Sequence, residues 1–263
     1  MYKKILPILL VCILLLAGCT NSINPAEGNA SQVEEEIKLS IFAAASLTEA
    51  FTEIKEVFEK NNEQIILEYN FASSGTLQKQ IEEGAVADYF VSAGLSQMNA
   101  LEEKGLVEDR RELLKNKLVL IGGQEIEGKI LDLEDLLSDD IKYIAMGTPE
   151  TTPVGKYTQE ALIYYDLWEE LEEKIVLTKD VKQALTYVNT GNCDVGFIYS
   201  SDALGLENGI ILLDVSNEAH EKIIYPAAII SDSLHKEQVN AFVEFLRSEQ
   251  ASNILEKYGF ILN

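Results

Sequence analysis

Residues Phe42 to Phe51, FAAASLTEAF, are where a strand turns into a helix. Ile37 to Phe42 alternates apolar and polar residues and runs into Ala43–Ala45, which reads as a strand. Leu47, Ala50, Phe51, Ile54, Val57 and Phe58 then recur at helical spacing. Ser46, with Glu49 three residues later, has the capping-box pattern, so Ser46 is expected to cap that helix. In open α/β sheets such a strand-to-helix junction lies where ligands bind. A helix start adds free N–H groups and a partial positive charge.

Working outward, Ile65 to Phe71 is a second strand and Leu77 to Ile81 a helical run ending at Gly84. Asp88 to Ala93 is a third strand, and Gln97 to Lys104 a helix closed by Gly105. This β-α-β-α-β-α order predicts a mostly parallel sheet covered by helices. A second set follows: strands at Leu118 to Ile121, Tyr143 to Met146, Ile175 to Leu177 and Val195 to Tyr199. Between them come helices at Leu131 to Leu137, Tyr157 to Tyr165 and Val181 to Val188. Ile223 to Ile230 is a long apolar segment containing Pro226, and two amphipathic helices, near Lys236 to Arg247 and Glu249 to Tyr258, end the chain. The expected fold is α/β with two lobes, 37–117 plus 226–263 and 118–225. The chain would cross between them twice, forming a hinge and a cleft.

The front of the chain is not expected to be fold. Lys3 and Lys4 precede an apolar run from Ile5 to Leu16, too short for a comfortable membrane span. It ends in Leu16-Ala17-Gly18-Cys19, which resembles a bacterial lipobox and implies a signal peptide over 1–18 and lipid on Cys19. Residues 19–36 show no apolar period and read as a tether. The expectation is an exported chain, lipid-anchored on the outer face of the cell membrane.

The net charge is −23, and −25 once Lys3 and Lys4 leave, which excludes nucleic acid and anionic membrane surfaces as partners. Of three cysteines, only Cys193 remains after Cys12 and Cys19 are assigned to the leader and the lipid, so no disulfide framework exists. Cys193 is expected to be a small packing residue. No H-E-x-x-H or paired Cys suggests a metal site, and no G-x-S-x-G elbow suggests a serine hydrolase. His220 and His235 sit among polar residues and are expected at the surface, as is Lys156.

The loops at the strand ends carry Ser46, then Ala72-Ser73-Ser74-Gly75-Thr76, then Thr152-Pro153-Val154-Gly155, Thr178-Lys179-Asp180-Val181 and Tyr199-Ser200-Ser201-Asp202. They are rich in hydroxyls and helix starts. All three arginines, Arg110, Arg111 and Arg247, lie elsewhere, so the bidentate fork that commonly grips a carboxylate is missing. Tyr199 is the sole aromatic residue suited to stacking a sugar. A small anion held by neutral donors fits best. Phosphate keeps a proton on part of its population and needs an acceptor, so sulfate, molybdate and tungstate are favoured. Glu49 and Asp180 are read as helix-start residues occupied with local N–H groups, and Asp202 similarly.

FAAASL with TEAF, FASSGTLQKQIEEGAVADYFVSA, GTPETTPVGKY, VGFIYSSDA, YPAAI and the ending ILEKYGF, together and in this order, resemble the periplasmic molybdate-binding proteins of ABC-type importers. The resemblance runs from about Leu39 to Phe260. It implies a two-lobed periplasmic-binding-protein fold of type II that is not an enzyme. It implies molybdate, and tungstate with it, as ligand, with molybdenum present only within the bound oxyanion and no cofactor. It also implies a monomer that serves a membrane permease. Carried over by position, Ser46 and Ser74 would give hydroxyl and N–H, Val154 and Val181 backbone N–H groups, and Tyr199 its phenol. Gly75 after Ser74, and Val154 where a smaller residue is expected, depart from the pattern. A binding protein for another oxyanion such as sulfate is the alternative, with a serine-type hydrolase behind it.

Overall fold

The structure is a computed structural model and describes residues 36–262. The expected signal peptide, Cys19 and nearly all of the tether lie outside the described residues, as does Asn263.

Two sheets organise the chain. The first has strand order β11-β4-β10-β3-β1-β2, built from β1 (Ile37–Ala44), β2 (Ile65–Ala72), β3 (Tyr89–Val91), β4 (Val107–Lys115), β10 (Ile224–Ile230) and β11 (Ile261–Leu262). The second has order β7-β6-β8-β5-β9, from β5 (Leu118–Gly123), β6 (Ile144–Gly147), β7 (Ile175–Thr178), β8 (Val195–Tyr199) and β9 (Gly209–Asp214). The chain leaves the first sheet after Lys115, enters the second at Leu118 and re-enters the first at Ile224. The two sheets with their helices are the two lobes.

Both sheets are mixed. The expected parallel pairings exist, β1 with β2 and β3 in one sheet and β6 with β7 and β8 in the other. Antiparallel strands extend them: β10 runs between β3 and β4, and β5 between β8 and β9. Pro226 sits in the inner strand β10, where a proline would break the ladder. The register shifts there between Tyr225 and Pro226, and this irregularity accommodates the missing N–H.

The helices are α1 (Thr48–Asn61), α2 (Ser74–Glu82), α3 (Leu95–Glu103), α4 (Pro153–Tyr164), α5 (Trp168–Leu171), α6 (Val181–Asn189), α7 (Lys236–Leu246) and α8 (Glu249–Lys257). Residues Leu133–Leu137, expected as a helix, form a 3-10 turn capped by Asp132. α1 buries the face predicted from its spacing, with Ala50, Phe51, Ile54 and Phe58 buried. α7 returns from the far end of the chain to meet it. The Phe58 and Phe242 rings stand edge to face 5.3 Å apart, and Tyr89 meets Phe242 at 6.0 Å. Such aromatic pairs contribute about 0.5–1.5 kcal/mol beyond area burial. Cys193 is buried and unpaired as expected, and burial, with Asp194 beside it, pushes its thiol up to about 11.

Candidate functional site

One small cavity, about 20 Å³, lies where the two lobes meet. Ser46 and Ser74 line it from the first lobe, and Val154, Val181 and Tyr199 from the second. All five residues singled out in the sequence are therefore brought together, although 153 positions separate the first from the last. Among the described residues, no Lys, Arg or His lines it.

On the first-lobe side, Ser46 departs from its expected role. A 3-10 turn, Ala45–Leu47, intervenes before α1, whose N-cap is Leu47 without a side-chain hydrogen bond. The Thr48 hydroxyl closes the turn by donating to Ala45 O at 2.7 Å. Ser46 is freed from capping and its buried Oγ lies 2.9 Å from Tyr225 Oη. Ser74 opens α2. The true cap is Ser73, whose Oγ accepts from Thr76 N at 3.3 Å. The Ser74 Oγ accepts from Ala93 N at 2.9 Å, which leaves its own proton for the cavity. Its N–H is the first of the helix and has no intrahelical acceptor.

On the second-lobe side, Thr152 caps α4 by accepting from Gly155 N, and Asp180 caps α6 by accepting from Gln183 N at 2.9 Å. The expectation for Asp180 thus holds: its carboxylate serves the helix. Each cap takes the third N–H, so the first-turn N–H groups of Val154 and Val181 remain donors without intrahelical acceptors. Gly155 is required by close approach, since a Cβ there would stand 2.0 Å from Gly147 O. Tyr199 is 1% exposed and its hydroxyl has no hydrogen-bond partner in the protein. Burial first, and then Tyr225, Tyr157 and Asp202 nearby, push this phenol well above its ordinary range, so it stays a donor. A buried donor without an acceptor is costly and calls for an explanation. Hydroxyls and helix-start amides converging without a basic side chain suit an anion that brings its own acceptors.

The sequence profile of bacterial extracellular solute-binding proteins matches residues 39–261. The chain belongs to this family. It is similar to YvgL of Bacillus subtilis, a candidate ABC transporter substrate-binding lipoprotein, with 37% identity over 99% of both chains. It is 34% identical to the molybdate-binding protein ModA of Haemophilus influenzae, over 85% of this chain and 89% of that one. The substrate-binding domain of a candidate molybdenum ABC transporter from Clostridium difficile superposes with a TM-score of 0.67 at 38% identity. That match covers 87% of this chain and all of the other.

For a solute-binding protein, the contacts that hold the lobes together matter as much as the cavity. Gly75 N donates to Thr151 O at 2.9 Å across the cleft. A Cβ on Gly75 would lie 2.5 Å from that oxygen, so the departure noted at Gly75 permits the approach. Glu49 is not a capping residue: it pairs with Lys182 of the other lobe at 2.6 Å, and Lys182 pairs with buried Asp202 at 2.7 Å. Asp202 likewise caps nothing, because Lys182 reaches it first. Lys156 points away from the cavity to Glu221 at 2.9 Å and Glu160 at 3.4 Å. His220 corrects another expectation. It is buried, with its ring 5.8 Å from that of Tyr157 and Nδ1 2.7 Å from Glu221 O. It is thus engaged away from Ser46. Sequence reasoning missed Tyr225, Asn116 and Lys182. The YPAAI block contains the first, yet only a long-range hydrogen bond gives it a part in the site.

Proposed function

We propose that this solute-binding protein captures molybdate outside the cell membrane and delivers it to an ABC importer. The observation that carries the reading is the buried Tyr199 hydroxyl, without a protein acceptor, in a cavity shared with two serine hydroxyls and two helix starts. Tetrahedral MoO4²⁻ presents four acceptor oxygens and no proton. Ser46, Ser74 and Tyr199 would give hydroxyls, and Val154 and Val181 backbone N–H groups, with the α4 and α6 dipoles adding positive potential. Neutral donors bind the dianion without a formal counter-charge, which keeps release reversible when the lobes part. Ligand contacts to both lobes favour the closed form, since only differential affinity shifts such an equilibrium. The similarity to a molybdate-binding protein and to the substrate-binding domain of a candidate molybdenum transporter supports molybdate. Tungstate is proposed on the same geometry, having the same charge and shape.

The protein acts by binding and carries out no chemistry of its own. Neither histidine lines the cavity to activate Ser46 as a nucleophile. Lipid attachment at Cys19 and a monomeric state complete the proposal. Conversion of Cys19 to Ala should release the protein from the membrane fraction.

Thermal unfolding with sodium molybdate, tungstate, sulfate and phosphate tests the reading. A ligand at about 100 times its Kd adds roughly 2.7 kcal/mol of stability. A shift with molybdate is expected; a shift with sulfate and none with molybdate would move the protein to the alternative oxyanion.

A further inference from the structure

Ser46 belongs to a chain of hydrogen bonds whose direction can be read. Its Oγ is 2.9 Å from Tyr225 Oη, and Tyr225 Oη is 3.3 Å from Asn116 Nδ2. The Asn116 amide is fixed from its other side, where Lys117 N donates to Oδ1 at 2.9 Å. A backbone N–H can only donate, so the amide oxygen faces Lys117 and the NH2 group faces Tyr225 and Ser201 Oγ, the latter at 2.8 Å. Ser200 Oγ donates to the same oxygen at 3.0 Å and reinforces this orientation.

The Tyr225 oxygen therefore receives a proton from Asn116. Among the described residues, the acceptor left for the phenol's own proton is Ser46 Oγ. The reverse order would bury a phenolic proton with nothing to accept it, a costly arrangement in a side chain with no exposed surface. Ser46 thus accepts from Tyr225 and directs its remaining proton into the cavity. Ser74 reaches the same state more simply, by accepting from Ala93 N. Asn116 directly follows β4 and Tyr225 lies in β10, both strands of the sheet that carries Ser46, so the Asn116–Tyr225–Ser46 chain runs along one lobe, with Ser200 and Ser201 of the other lobe adding to it.

We propose that Tyr225, oriented by Asn116, is a specificity-determining positioning residue. It holds Ser46 as a donor, so that the cavity accepts fully deprotonated tetrahedral oxyanions and penalises those carrying a proton. The inference rests on the oxyanion reading above. A hydrogen phosphate ion must point its O–H at an acceptor. Ser46 and Ser74 are both spoken for by protein donors, and Asp180, the carboxylate on the cavity wall, is taken up by Gln183 N and Lys179, so that O–H meets donors instead.

The test compares the wild-type protein with Tyr225→Phe by calorimetric titration with sodium molybdate, and with sodium phosphate in competition near neutral pH. In Tyr225→Phe, Ser46 can turn and accept. Molybdate affinity is expected to fall roughly tenfold, the order of one weakened hydrogen bond to a charged group, with phosphate affinity unchanged or raised. The molybdate-to-phosphate ratio therefore drops. Placed in a Ser46→Ala background, Tyr225→Phe should change that ratio no further. Equal proportional losses for both anions would indicate a merely structural role and overturn the inference, as would a wild-type protein that binds phosphate as well as molybdate. Should Tyr225→Phe not fold, Asn116→Ala removes the orienting amide and must move the ratio the same way. A wild-type protein that binds sulfate and not molybdate defeats the functional reading alone, and the ratio is then measured between sulfate and phosphate. Binding of no oxyanion defeats both.

Discussion

The two faces of the cavity are prepared differently. On the first-lobe face, protein donors already occupy an acceptor position on each serine hydroxyl: Tyr225 for Ser46 and Ala93 N for Ser74. On the second-lobe face, the Tyr199 phenol and the first-turn N–H groups of α4 and α6 have no such support, and Tyr199 has no partner in the protein at all. Both faces offer donors to the cavity, but the hydroxyls of one are oriented by protein donors while the phenol of the other has no partner. The second lobe therefore has more to gain from a ligand, which is what a closing lobe requires, because ligand contacts must repay the cost of closure.

The largest effects should separate the faces directly. Ser74→Ala and Tyr199→Phe each remove one hydroxyl donor to a charged ligand, so each should weaken molybdate binding by about 1.5–3 kcal/mol in a titration. Their effects on the ligand-free protein should differ. Ser74→Ala leaves the buried Ala93 N–H without its acceptor and should lower unfolding stability by about 1–3 kcal/mol. Tyr199→Phe removes a polar atom that had no partner, so stability should hold or rise. Equal stability losses would erase the distinction between the faces.

Next in size is Gly75→Ala. The added Cβ would meet Thr151 O at 2.5 Å, so one lobe must draw back from the other. Overpacking of this kind costs about 1–3 kcal/mol, and here the cost falls on the closed form alone. Molybdate affinity should fall while the unfolding midpoint of the ligand-free protein changes little. Small-angle scattering should show less compaction on ligand addition.

These contrasts also show what could be read from sequence. The βαβ alternation was legible because apolar runs such as Ile65 to Phe71 and Val195 to Tyr199 declare buried strands. β4 was not, because VEDRRELLK is charged along much of its length and carries Asp109 at φ 51°. The five cavity residues were legible because hydroxyls, Pro and Gly cluster at strand ends, where helix starts point. The connections between residues were not. Ser46 meets Tyr225 across 179 positions and Glu49 meets Lys182 across 133, so no local pattern announces either. The S-x-x-E signature misled for the same reason: it describes a helix start, while the hydroxyl found a tertiary partner and a 3-10 turn came first.

Glu49→Gln should have a smaller effect on binding. The pair with Lys182 spans the lobes, but Glu49 is half exposed and such pairs contribute about 0.2–1 kcal/mol. The loss should shrink further in high salt, as the screening of exposed charge requires.

The smallest effect on affinity is expected from Asp202→Asn, because Asp202 faces Lys182 and is absent from the cavity wall. Its signature lies in stability against pH. Burial raises the Asp202 carboxyl to about 6 from an ordinary 3.8, against the opposing pull of Lys182, with Glu49 and Asp180 adding to the rise. The folded state therefore holds this proton more tightly than the unfolded state does. The stability that Asp202 contributes is fully present below about pH 4 and is lost as pH rises to about 6. Asn cannot titrate, so the stability of Asp202→Asn relative to wild type should climb across that window and level off above it. A flat difference between the two unfolding curves from pH 4 to 7 would mean that Lys182 holds the carboxylate ionised throughout. The Lys182 bridge would then belong energetically to the second lobe's own core, and Glu49 would add only a loose tie from the first.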